Sequence, residues 1–162
     1  MALPASANLV VTGAQSASEP SRVMELVQVL DLWIDTYTDL PPSPLALVAI
    51  EFVEPGSAVA HDGEVFAIDD QMRGAYDAAT RTISLVRPWF GDTANDRSIL
   101  LHELIHHRQV TSQHWYCPNA MEWDAYTHQE AYLNAHDESG DFNWIWIVIS
   151  ASCETRRDYH PD

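Results

Sequence analysis

Lysine is missing altogether: the eight basic residues are all arginine, set against 24 Asp and Glu in 162 residues, and the formal net charge is −16. So acidic a surface repels phosphate backbones and argues against nucleic-acid binding, while a basic peptide stays electrostatically suitable as a partner. Long apolar runs are missing too. Trp144-Ile-Trp-Ile-Val-Ile149, as long as any, is far too short to span a bilayer. It reads as a buried helix or strand, a helix packed under the functional site being the preferred form. No internal repeat or low-complexity stretch is evident, which excludes solenoids and fibrous chains. The first twenty residues hold no Lys or Arg and no long apolar centre, so they are not an intact signal peptide. Either the protein is not exported or its leader lies outside this sequence. Residues 1–20 are expected to form a flexible N-terminal segment and residues 21–162 a single domain, large enough to hold a core without staples.

What the chain does have is Leu101-His-Glu-Leu-Ile-His-His107, an HExxH string. On a helix, side chains four apart share a face, so His102 and His106 can offer two imidazoles to one ion while Glu103 falls beside it. Metal-assisted hydrolysis needs that division of labour: neutral nitrogens hold Zn²⁺, and a carboxylate takes the proton of the attacking water. The string also arises by chance, so its surroundings have to supply the rest. A helix is expected from Thr93 to Val110, with Thr93 as N-cap and Asp96 as a capping-box acid. Leu100, Leu101, Leu104 and Ile105 make it apolar nearly all round, hence buried. Two histidines and a glutamate on a buried helix need partners, and a metal ion is a natural one.

After a loop over 111–118, Asn119 to Ala135 reads as a second helix, on which Glu122, Tyr126, Gln129 and Leu133 form one stripe. Glu122 is the first candidate for a third ligand. Asp124, His114 and His128 are weaker alternatives, and the metzincin pattern fails because Gln109 and Ser112 stand at its Gly and His positions. Tyr126, one turn beyond Glu122, is the first candidate for stabilising an oxyanion, ahead of Tyr132, His107, His114 and His128.

Here the sequence resembles the gluzincin branch of the zincin metallopeptidases, whose third ligand is a glutamate on the next helix. Glu122-Trp-Asp-Ala125 is similar to the Glu-x-x-Ala pattern of the heat-shock and prenyl-protein peptidases of that group, although those follow Ala with Asp where this chain has Tyr126. Residues 45–153 together resemble a group of small uncharacterised bacterial proteins assigned as zinc peptidases, many with export leaders. The resemblance implies a compact zincin-like α+β domain, Zn²⁺ held by His102, His106 and Glu122, Glu103 as general base, and a peptide or protein substrate. The alternatives are a zincin-like metal-binding module without catalysis and a purely structural fold.

The rest of the expected fold comes from the residues. Ser21 or Pro20 opens an amphipathic helix, with Val23, Leu26, Val27, Leu30, Trp33, Ile34 and Tyr37 at helical spacing up to Pro41-Pro42. Ala46–Val53 reads as a strand, and Gly74–Val86 as a hairpin with strands at 74–76 and 82–86. In zincins an edge strand just before the active helix binds substrate by β-addition, which would be the role of 82–86; an ordinary hairpin is the other reading. Residues 55–71, with His61, Asp62, Glu64, Asp69 and Asp70, read as a loop: solvated, or lining the cleft, or binding a second cation. Cys117 and Cys153 are placed so that a disulfide would tie the chain end to the second helix, which would fit a periplasmic or secreted location. Two buried free thiols, and a cytoplasmic location, are the alternative.

Overall fold

The computed structural model describes residues 9–44, 48–61, 64–69, 71–112, 115 and 117–153. Along the chain the elements are β1 (Val10–Thr12), α1 (Glu19–Tyr37), β2 (Ala49–Val53), β3 (Ala58–His61), β4 (Glu64–Ala67), β5 (Gly74–Asp77), β6 (Thr82–Val86), α2 (Ala94–Ser112), α3 (Glu122–Asn134) and α4 (Trp144–Ser150). The fold class is α+β. One sheet has the strand order β1-β2-β6-β5, with β1, β2 and β6 parallel and β5 antiparallel to β6; β3 and β4 pair separately as an antiparallel hairpin.

The pleat sorts the apolar side chains between two cores. Ile50, Phe52, Tyr76, Ile83 and Leu85 join Val27, Leu30 and Ile34 of α1 and Leu100, Leu101, Leu104 and Ile105 of α2 in the main core. Ala75 and Val86, next to them in sequence, belong instead to a second cluster with Val59 and Ile68. Helices therefore pack on one face of the sheet and the β3–β4 hairpin on the other.

Two arginines pin the helices. Arg108 of α2 is 1% exposed, and its guanidinium bonds Asp31 and Asp35, one turn apart on α1. Arg87 is paired bidentately with Glu19 (Nη1–Oε1 2.9 Å, Nη2–Oε2 2.9 Å), also donates to the Trp89 carbonyl, and lies 3.8 Å over the Phe52 ring. At the start of α2 the Asp96 amide donates to Thr93 Oγ1 (3.0 Å), so Thr93 caps the helix. The Asp96 carboxylate does not complete the expected box: it accepts the Phe90 and Gly91 amides instead, at 3.0 Å each.

Four expectations change. The N-terminal segment is not all outside the domain, because β1 pairs in parallel with β2, Glu19 is buried against Arg87, and α1 begins at Glu19. Residues 55–71 are largely the β3–β4 hairpin rather than a loop, with Val59 and Ile68 buried; Asp62, Gly63 and Asp70 lie outside the described residues. The strand leading into α2, β6, is interior to the sheet, with β2 on one side and β5 on the other, so the terminal strand on its side is β5. Finally, 144–150 is a helix but not a buried one. Ile147 alone is buried there, whereas Ile145 is 77%, Trp146 58% and Ile149 67% exposed.

A disulfide joins Cys117, just ahead of a 3-10 turn at Pro118–Met121, to Cys153, just beyond α4.

Candidate metal centre

Helix α2 is buried without a break from Ser98 to Gln109, since it lies between the sheet, α1 and α3. Its 3.6-residue repeat brings His102 and His106 onto the side that meets α3. Their Nε2 atoms are 3.0 Å apart, and each lies 3.3 Å from one carboxylate oxygen of Glu122, the first residue of α3. One donor atom from each of these three residues falls within a 4.8 Å span. Of the candidates for third position, the structure thus brings Glu122 to the two histidines. Asp124 and His128, partly buried on α3, are not in the cluster, and His114 lies outside the described residues.

The far side of each imidazole is tied to a glutamine. His102 Nδ1 meets Gln129 Oε1 at 3.0 Å, and His106 Nδ1 meets Gln109 Oε1 at 2.9 Å. Both glutamines, 7% and 0% exposed, have their amide nitrogens committed elsewhere. Gln129 Nε2 donates to Ser98 Oγ (3.1 Å), whose own proton goes to the Asn95 carbonyl (2.8 Å); Gln109 Nε2 donates to the Met121 carbonyl (2.9 Å). These glutamines escaped the reading of the sequence as site residues. The available signal was spacing: Gln109 is one turn past His106, and Gln129 is two turns past Glu122 on the same stripe.

Electrostatics fit a cation at the centre. Two Nε2 lone pairs and a carboxylate aimed at one point repel unless positive charge sits among them. Burial disfavours a charged His106, yet Glu122, Glu103 and the Gln109 contact outweigh it and raise its pKa to about 9. Burial likewise opposes ionised Glu122, but His106 and His102 hold its pKa well below the ordinary value. Two imidazole nitrogens and a carboxylate are a donor set that suits zinc, and one that other divalent first-row ions also accept. Beside His106 and Glu122 a cavity of ≈ 20 Å³, lined also by Tyr76, Val110 and Met121, has room for about one water.

Glu103 is 5% exposed and close enough to His106 and Tyr126 to shift both electrostatically, without joining the ligand cluster. Terminal strand β5 lies directly against it: a Cβ built on Gly74 would stand 2.7 Å from Glu103 Oε1. The ring of Tyr126 meets that of His102 edge-on at 4.5 Å. Burial, reinforced by Glu122 and Glu103, pushes the Tyr126 hydroxyl up to about 12 and keeps it protonated. Two of the other oxyanion candidates, His107 and Tyr132, are committed elsewhere. His107, 1% exposed, lies between Tyr76 Oη and Ser43 Oγ at 3.0 Å each, and burial lowers it to about 4. Tyr132 is in the main core.

The fold and site define a small α+β domain with a His-His-Glu cluster, both histidines buried and the glutamate partly so, formed where two helices meet. Residues 19–162 match the family model described as Domain of unknown function (DUF6647), and the chain belongs to that family. No curated protein and no solved structure matches it.

Proposed function

We propose that this protein is a zinc-dependent peptidase of zincin type, with His102, His106 and Glu122 as the metal ligands and Glu103 as the general base. The observation that carries the reading is the convergence of three donor atoms within 4.8 Å, two of them imidazole nitrogens whose opposite ring nitrogens are already committed. A divalent ion held there would supply Lewis acidity, polarising a carbonyl and acidifying water. Glu103, buried beside the cluster, takes one proton from water as its oxygen adds to the scissile carbonyl carbon, then delivers that proton to the amine nitrogen as the C–N bond breaks. Tyr126 donates to the developing oxyanion, a role supported by its protonated hydroxyl and its packing on His102. The negative surface favours basic peptide segments as substrates. The disulfide fits an oxidising, extracytoplasmic location, and among the described residues no helix is long and apolar enough to cross a membrane.

The test is metal analysis of the purified protein with digestion of a peptide library, with and without chelator. Bound zinc in the parent, its loss in His102→Ala, and chelator-sensitive cleavage abolished in Glu103→Gln are the expected results. Zinc retained with no cleavage of any library would leave the non-catalytic metal-binding module; no bound metal would remove both.

A further inference from the structure

We propose that Gln109 and Gln129 are the positioning residues of this centre, each accepting the Nδ1 proton of one histidine and so committing both Nε2 lone pairs to the point that faces Glu122. The proposal rests on the metal-binding half of the function above. Its basis is the direction of the hydrogen bonds, which can be followed from the anchored end. The Asn95 carbonyl can only accept, so Ser98 donates to it; Ser98 Oγ then accepts from Gln129 Nε2, which leaves the Gln129 carbonyl facing His102 Nδ1. The Met121 carbonyl likewise can only accept, so Gln109 Nε2 points to it and the Gln109 carbonyl faces His106 Nδ1. A carbonyl facing a ring nitrogen requires that nitrogen to carry the proton. Both imidazoles are thereby held in the tautomer that has Nε2 free for an ion.

The glutamines differ in what else they hold. Gln129 connects α3 to Ser98, on the first turns of α2. Gln109 grips the carbonyl of Met121, the residue immediately before Glu122, so one side chain orients His106 and fixes the backbone that presents the third ligand. Both are neutral acceptors. They orient the rings without adding negative charge beside Glu103 and Glu122.

This asymmetry gives the test. In the full-length protein, zinc affinity is measured by competition with a chromophoric chelator, alongside thermal melting of the zinc-free form. Gln109→Met and Gln129→Met, close in size but unable to accept, should each weaken zinc binding by about 10- to 100-fold. Gln129→Glu should bind zinc like the parent, because a carboxylate still accepts from His102 and the Ser98 hydroxyl can turn to donate to it. Gln109→Glu should lose affinity as Gln109→Met does, since it sets a carboxylate against the Met121 carbonyl. A role in packing alone predicts no difference between the two Glu variants beyond any difference in their melting, and that result overturns the proposal. Parent-like affinity in both Met variants overturns it as well while leaving the metal reading intact, whereas no zinc binding by the parent overturns both.

Discussion

Gly74 is the residue that lets terminal strand β5 lie against Glu103: a side chain there would meet Glu103 Oε1 at 2.7 Å, Ile99 Cγ2 at 3.1 Å and Glu103 Cγ at 3.2 Å. The closest of these atoms is the far end of a flexible side chain, so a methyl group displaces Glu103 more readily than it disrupts the fold. Gly74→Ala should therefore melt near the parent temperature and keep its metal while peptide hydrolysis falls by about a hundredfold, the order expected when a catalytic group is misplaced by about 1 Å. Hydrolysis at the parent rate would show that Glu103 has room to move without consequence.

Removing Glu19 tests the link from the N-terminal segment to the entrance of α2. Glu19→Ala leaves the Arg87 guanidinium, 5% exposed, without its counter-ion and should cost about 3–5 kcal/mol in urea unfolding at neutral pH.

That same pair sets an acid limb. The Arg87 hydrogen bonds hold the Glu19 pKa below its ordinary 4.5 despite burial. Folding thus favours the ionised form, and the stability it adds is complete above the unfolded-state pKa and disappears as pH falls through the lower folded-state value. The stability gap between the parent and Glu19→Gln should be constant from pH 7 down to about 4.5 and shrink below it. A gap that widened on acidification would contradict the assigned direction.

Arg108 should matter more than its exposed partner Asp35. Arg108→Ala leaves Asp31 and Asp35 facing each other at the α1–α2 contact and is expected to lose about 3–5 kcal/mol. Asp35, whose side chain is 43% exposed, should cost less than about 1 kcal/mol when changed to Asn. Chemical denaturation of the two variants decides the ranking.

Reduction, or Cys117→Ser with Cys153→Ser, opens a loop closed over a separation of 36 residues. The chain-entropy model puts the loss near 4 kcal/mol, measurable as a fall in the unfolding midpoint in the presence of dithiothreitol.

The readable parts of this molecule were those whose signal is local. HExxH, its buried helix and the stripe that starts at Glu122 follow from helical periodicity, which places residues three and four apart on one face whatever the rest of the chain does. Arg87 with Glu19, and Arg108 with Asp31, are pairings across 68 and 77 residues, for which the local pattern holds no trace. Strand β1 is only three residues long, and its partner is far along the chain. The apolar run at 144–149 misled in the opposite way: hydrophobicity predicts burial only where another surface covers the residues, and among the described elements α3 covers little more than the Trp144 and Ile147 side. Gln109 and Gln129 were visible as letters but not as site residues, because an amide reveals its role only through the groups at both its ends.

The disulfide also changes what counts as one molecule. Residues 135–139, between α3 and α4, are all exposed, and a protease that cuts there severs the main chain between Cys117 and Cys153 without separating the pieces. The nicked protein would run as two bands on a reducing gel and as one without reductant. Helix α4 is thus fastened beside the candidate site by sulfur as well as by the peptide chain.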